Sequence, residues 1–129
     1  MERITKILAA SFGGALGAVV RLCFAVFCSD VAIDILVCNI LGAFALAITK
    51  TLFVHTHSHI EKFLAVGFCG GLSTFPGIFR YSESSFFAGE RIESMIFIIA
   101  NFVLCYLTLE FGKYLAKKLL NIKHTKVKV

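Results

Sequence analysis

Four stretches of the chain are apolar almost without interruption, and the charged residues collect between them. Residues 7–28 hold one charge, Arg21; residues 35–49 hold none and are extended past Lys50 by residues 52–54; residues 63–79 and 94–109 hold none. These runs are continuous rather than alternating, which argues for helices and against the period-two pattern of a β-barrel. A helix needs about 20 residues to cross the hydrocarbon of a bilayer, and each run approaches that length with its flanking residues. The connections are short, at residues 29–34, 55–62 and 88–93. The pattern predicts an all-α integral membrane protein, residues 1–129 forming a single four-helix transmembrane domain. Arg3 and Lys6 precede the first run as in a signal peptide, but the run is long and contains Arg21, so it reads as the first span.

Composition strengthens this reading. The chain is 58% hydrophobic and 16% charged with a mean hydropathy of +0.86, against roughly 25% charged residues in soluble domains. A soluble domain of this size could not enclose so much apolar surface. The five cysteines, Cys23, Cys28, Cys38, Cys69 and Cys105, lie in or beside apolar runs and form no CxxC pair, so they read as small buried hydrophobes. His55, His57 and His59 alternate in a connection, where a solvated loop is the simpler alternative to a metal site. The tail lysines Lys117, Lys118, Lys123, Lys126 and Lys128 follow a membrane span. They therefore suit a cytoplasmic end facing anionic lipid better than nucleic acid.

Polar groups inside a span are expensive, so they mark function. Arg21 sits late in the first span, either as a cation snorkelling to the interface or as a fixed positive charge near an anion pathway. Asn39 lies within the second, its amide suited to helix packing or to a desolvated anion. In the fourth, Asn101, Cys105, Thr108 and Gly112 follow i, i+4, i+7, i+11 and share one helical face. That stripe is either interhelical glue or the wall of a water-filled path. The third span carries Gly67, Gly70, Gly71, Pro76 and Gly77, a density of helix breakers that predicts an interruption between Gly70 and Gly77. Ser73 or Thr74 can cap a second half-helix whose first turn accepts Pro76. Broken backbone at membrane depth is tolerated only where it is covered by protein or lines a cavity. Freed carbonyls there can ligate a cation, and a half-helix N-terminus favours an anion.

Three motifs in order carry a resemblance to a known family. Gly13-Gly14-Ala15-Leu16-Gly17-Ala18-Val19-Val20-Arg21 is similar to a GGxxGAxxR pattern, Leu36 to Phe44 (LVCNILGAF) to LxVNxxGxF, and Gly67 to Phe75 (GFCGGLSTF) to GfxGGxTTF. With the matching length and span count, the chain resembles the Fluc/CrcB fluoride channels. The resemblance implies an antiparallel, dual-topology dimer in the plasma membrane with two pores, passing F⁻ down its gradient to lower cytoplasmic fluoride. It implies a central Na⁺ held by backbone carbonyls, here those of Gly70 and Ser73 from both subunits. Asn39 would line the pore, Phe75 would present its electropositive ring edge to the anion, and Asn101, Cys105 and Thr108 would form a polar track. Arg21 would stand at the vestibule. Where the family has TTFSTF, this chain has STFPGIF, so the ungapped match to the second phenylalanine is Ile78 and Phe79 comes one position later. Cys105 replaces a hydroxyl residue, and Asp34-Ile35 stands where the family has glycine-threonine.

Two other classes fit less well. A small multidrug exporter of similar size needs a carboxylate within a span, typically the first, and none lies there. A non-transporting subunit would explain the glycines but neither Asn39 nor the break. No nucleophile–base pair or metal-spaced carboxylate set lies within the spans, so the chain does not read as an enzyme. With four spans, the N-terminus, second connection and C-terminal tail share one side, which collects Arg3, Lys6, Lys50, Lys62, Lys113, Lys117, Lys118, Lys123, Lys126 and Lys128 against Arg80 and Arg91 on the other. Positive residues stay cytoplasmic. This bias predicts one fixed orientation with both termini cytoplasmic, and an antiparallel partner would then be an oppositely biased paralogue rather than a second copy. Single cysteines placed at the N-terminus and in the third connection, residues 88–93, after removal of the native ones, test this. Labelling from outside intact cells is expected in that connection alone, and equal labelling of both positions would show dual insertion.

Overall fold

The structure is a computed structural model that describes residues 2–53 and 59–126, the side chains beyond residue 121 excepted. His55 and His57 of the alternating histidines lie outside the described residues. Helix α1 spans Glu2–Phe27 and α2 spans Val31–Leu52. The third span is in two halves. Its first half, α3, covers residues 59–72 as an α-helical start at His59–Glu61, a π-helical stretch at Lys62–Phe68 and an α-helical turn at Cys69–Leu72. Its second half, α4, is Phe75–Phe87, and α5 runs over Arg91–Lys126. Four helices, with α3 and α4 taken as one span, are long and apolar enough to cross a membrane. The chain is a multi-pass, all-α membrane protein, as the spacing of its charges predicts.

The connections are shorter than the apolar runs suggest. Asp30 caps α2 by accepting from the amides of Ala32 at 2.8 Å and Ile33 at 3.4 Å, so the helix starts four residues before the uncharged run at Ile35. Gly89, at a φ of 95°, takes the left-handed conformation that ends α4 and lets α5 begin at once. Glu61 is buried at the start of α3, its carboxylate 2.6 Å from the Lys50 ammonium and 3.7 Å from that of Lys62. These charges hold the end of α2 to the start of the third span.

Burial is reversed relative to a soluble domain. Phe27 is 86% exposed and Val26 76%, because α1 turns its large side chains to lipid. The fully buried side chains of greatest volume are Asn101 and Cys38. Lipid is as apolar as leucine, so helices associate through close van der Waals packing of small residues rather than by burying hydrophobes. Two seams are built this way. Along α1 and α3, Gly13, Gly17, Gly67 and Gly71 bring backbone against backbone; a Cβ on Gly17 would run into the Phe68 carbonyl and lie 2.8 Å from the Leu72 nitrogen. The π-helical turns, marked by the Cys69 amide donating to the Leu64 carbonyl, fall along this seam, where they widen the coil beside the glycine ridge. Along α2 and α5, Gly112 sits against Ala47 and Phe44, and Ala116 is completely buried.

Candidate functional site

The interruption of the third span is confined to Ser73 and Thr74, both in extended conformation. Gly70 and Gly71 remain helical and Gly77 already belongs to α4, so the break is narrower than the glycine spacing predicts. The choice of cap is decided by the hydroxyls. Ser73 finishes the first half, donating its amide at 3.0 Å and its hydroxyl at 2.9 Å to the Cys69 carbonyl. Thr74 caps the second half, its Oγ1 accepting from the Gly77 amide at 3.1 Å. Pro76 falls in the first turn, where its missing N–H is harmless.

The Thr74 amide would donate to the Gly70 carbonyl if the helix continued. Instead it donates to Asn39 Oδ1 of α2 at 2.6 Å. Asn39 Nδ2 donates to Asn101 Oδ1 of α5 at 3.0 Å, and Asn101 Nδ2 donates to the Phe97 carbonyl at 3.2 Å. Asn39 is 5% exposed and Asn101 1%. One chain of hydrogen bonds therefore joins the break to both helices of the neighbouring seam. It also changes what the break offers. The amides of Thr74 and Gly77 are spent and Pro76 has none, so the N-terminus of α4 has less anion-binding capacity than an uncapped helix end. Conversely, the i+4 donors of the Gly70 and Ser73 carbonyls are diverted to Asn39 and Thr74. Those two carbonyls are released from the helical ladder, and a Cβ on Gly70 would meet nothing within 4 Å. Neutral carbonyl oxygens beside open space fit a hard monovalent cation such as Na⁺.

Next to this network lies a cavity of about 280 Å³. Asn39 and Asn101 form its polar corner, Cys105 continues it along α5, and Phe75, Ile78 and Phe102 supply apolar walls, with Gly70 and Ser73 at the break. The geometry thus brings together seven of the ten residues singled out from sequence. Thr108 is half-buried one turn beyond Cys105, and Arg21 is half-buried on α1; neither lines the cavity. The stripe on α5 divides between its two readings. Asn101 and Cys105 face the cavity, whereas Gly112 packs on α2. Rising 1.5 Å per residue, α5 places Asn101 about 15 Å from Arg91 and about as far from residue 111. That stretch matches the ~30 Å of a hydrocarbon layer, and the uncharged run at residues 94–109 is centred on Asn101 and Phe102, which puts the network near the middle of the span.

The aromatic residues separate by rotation about α4. Phe75 and Phe79 meet edge to face, centroids 5.0 Å apart at 61°. Ile78 is buried and lines the cavity, while Phe79 is 46% exposed and does not. Phe102 of α5 also meets Phe75 edge-on, at 6.1 Å and 71°. Sequence reasoning missed Phe102 because it lies one residue off the polar stripe and resembles any lipid-facing phenylalanine. Phe75 is the shared centre of the cluster and presents the ring that walls the cavity.

A sequence profile described as CrcB-like protein, Camphor Resistance (CrcB), matches residues 8–113. The chain belongs to the CrcB-like family. The chain also matches curated relatives over most of their length. The fluoride-specific ion channel FluC of Hydrogenovibrio crunogenus is 34% identical over 102 residues, 72% of this chain and 76% of its own. That of Sulfurihydrogenibium sp. is 30% identical over 122 residues, covering 88% and 98%. The fluoride-specific ion channel FluC 1 of Staphylococcus epidermidis is 33% identical over 111 residues, covering 78% and 90%. The CrcB-like match encloses every residue of the break, the hydrogen-bond chain and the cavity. Because Phe75 lines that cavity and Phe79 reaches it only through Phe75, Phe75→Ile is expected to lower anion flux at least tenfold and Phe79→Ile several-fold less. Flux from vesicles containing each folded variant measures this, and the reverse order would mean that α4 is rotated from the orientation described.

Proposed function

We propose that this member of the CrcB-like family is a fluoride channel, and that F⁻ passes beside Asn39, Asn101 and Phe75. The observation that carries the proposal is the mid-membrane cavity whose polar corner is made of side-chain amides with no charge. F⁻ is small and strongly hydrated, so entry to a narrow path requires donors that replace water. A neutral amide N–H does this without the deep well that a lysine or arginine would create. Ring edges of Phe75 and Phe102 add positive electrostatic character along the wall. The Cys105 thiol is a weaker donor than a hydroxyl and lowers the polarity of the next step. Movement is passive, from the cytoplasm outward down the fluoride gradient across the plasma membrane, and Arg21 draws the anion toward the mouth.

The chain works as half of an antiparallel pair. Released carbonyls and the open flank of Gly70 are unsuited to lipid, which satisfies no backbone group, and a partner of opposite orientation covers both. Gly70 and Ser73 of each chain would hold Na⁺ between them, which when bound supplies a fixed positive charge at the centre of the assembly. The charge bias along the chain favours an oppositely biased paralogue as the partner. A proton-coupled exporter is disfavoured because no carboxylate among the described residues lines the cavity, and the buried Glu61 is held by Lys50 and Lys62.

Fluoride release from liposomes containing the purified full-length assembly, read with a fluoride electrode, tests the proposal. Rapid release is expected from the wild type. Asn39→Asp removes the donor to the anion and adds a repelling charge, so release at least tenfold slower is expected. No release from the wild type, or wild-type release from a correctly folded Asn39→Asp variant, would contradict it.

A further inference from the structure

The hydrogen bonds that cross the bundle have a polarity set at both ends. The Thr74 backbone nitrogen can only donate, so the Asn39 atom 2.6 Å away is its oxygen. The Phe97 carbonyl can only accept, so the Asn101 atom 3.2 Å away is its nitrogen. These anchors leave Asn39 Nδ2 facing Asn101 Oδ1, 3.0 Å apart. Turning over either amide would oppose two donors or two acceptors. Each amide keeps one hydrogen beyond those in the chain, no second partner for either is seen among the described residues, and both residues line the cavity.

We propose that Asn101 is a positioning residue for anion binding: it holds the Asn39 amide in the plane that turns its second N–H into the cavity. This rests on the reading of the cavity as a fluoride path. The buried Asn101 oxygen takes one hydrogen of Asn39, which leaves one direction for the other. Without that acceptor an Asn39 hydrogen is stranded in apolar surroundings. The amide then relieves the loss by rotating toward the cavity, and the donor no longer has a fixed place when the ion arrives. Water shed by F⁻ must be replaced within the time of passage, so a donor already in position speeds transit where a mobile one does not. Asn101 is held in turn by its own helix through Phe97, so its oxygen stays at one height in the membrane whatever occupies the cavity.

The test uses the full-length assembly in liposomes at a protein density low enough for each vesicle to hold one channel or none. The amplitude of fluoride release then counts vesicles with a channel, and the rate reports transit through each one. Asn101→Leu keeps the shape and removes the acceptor; Asn101→Ser keeps a hydroxyl too short to reach. Both are expected to leave amplitude near that of the wild type and to slow release about tenfold or more, the size of a lost hydrogen bond to a charged group. Because rate is read only in vesicles that hold a channel, it is measurable even for a variant that folds poorly. Asn101→Gln restores an amide oxygen, with the cavity taking up the extra methylene, and is expected to recover the rate to within about threefold. Wild-type rate in either Asn101→Leu or Asn101→Ser would overturn the proposal, as would a Gln variant no faster than Leu. A wild type that releases no fluoride would overturn the channel reading itself, whereas wild-type release with an unaffected Leu variant overturns only the role of Asn101.

Discussion

A helix that breaks in the middle of a bilayer exposes backbone amides and carbonyls to a medium that can bind none of them, and the rest of this structure follows from how that account is settled. The Thr74 amide is taken by Asn39 of α2, the Gly77 amide by the Thr74 hydroxyl, and the Cys69 carbonyl by Ser73. Pro76 removes a further donor. Among the groups left over are the Gly70 and Ser73 carbonyls and one hydrogen on each of the Asn39 and Asn101 amides, all four residues lining the same cavity. The carbonyls suit a cation, the amide hydrogens an anion in transit.

Settling the break this way demands that α2 and α5 stay at fixed height and distance, since Asn39 and Asn101 must meet at 3.0 Å. Small residues meet that demand. Gly112 and Ala47 set the spacing of α2 and α5, and Gly13, Gly17, Gly67 and Gly71 set that of α1 and α3. A larger side chain at any of these would force backbones apart in a packed interior that relaxes poorly. The glycine motifs near the N-terminus thus serve the site from a distance. They lock the first half of the broken span so that only its end is available for binding.

Much of this is written in local pattern. Four spans follow from where charges are missing, the interruption follows from Gly70, Gly71, Pro76 and Gly77, and the shared face of Asn101, Cys105, Thr108 and Gly112 follows from helical spacing. What local pattern does not contain is the partner of each polar group. Asn39 and Asn101 are 62 residues apart, and nothing near either one names the other. Phe102 and Phe75 meet for the same non-local reason. The exact bounds of the connections were obscured because Asp30 and Gly89 act by hydrogen bonding and backbone conformation rather than hydropathy. The π-helical stretch of α3 has no hydropathy signature either. Glu61 falls in the second connection of the hydropathy pattern, and its ion pair with Lys50, eleven positions earlier in the chain, has no local signature.

The central claim is that Asn39 and Asn101 act as one unit. A double-mutant cycle on the fluoride release rate per channel, with Asn39→Ala, Asn101→Ala and the double variant, measures their coupling directly. If the two amides form one relay, the double variant is slowed little more than the slower single one, a coupling of about 1 kcal/mol or more. Two effects that multiply independently would show that the amides act separately, and the account built on their hydrogen bond would be contradicted.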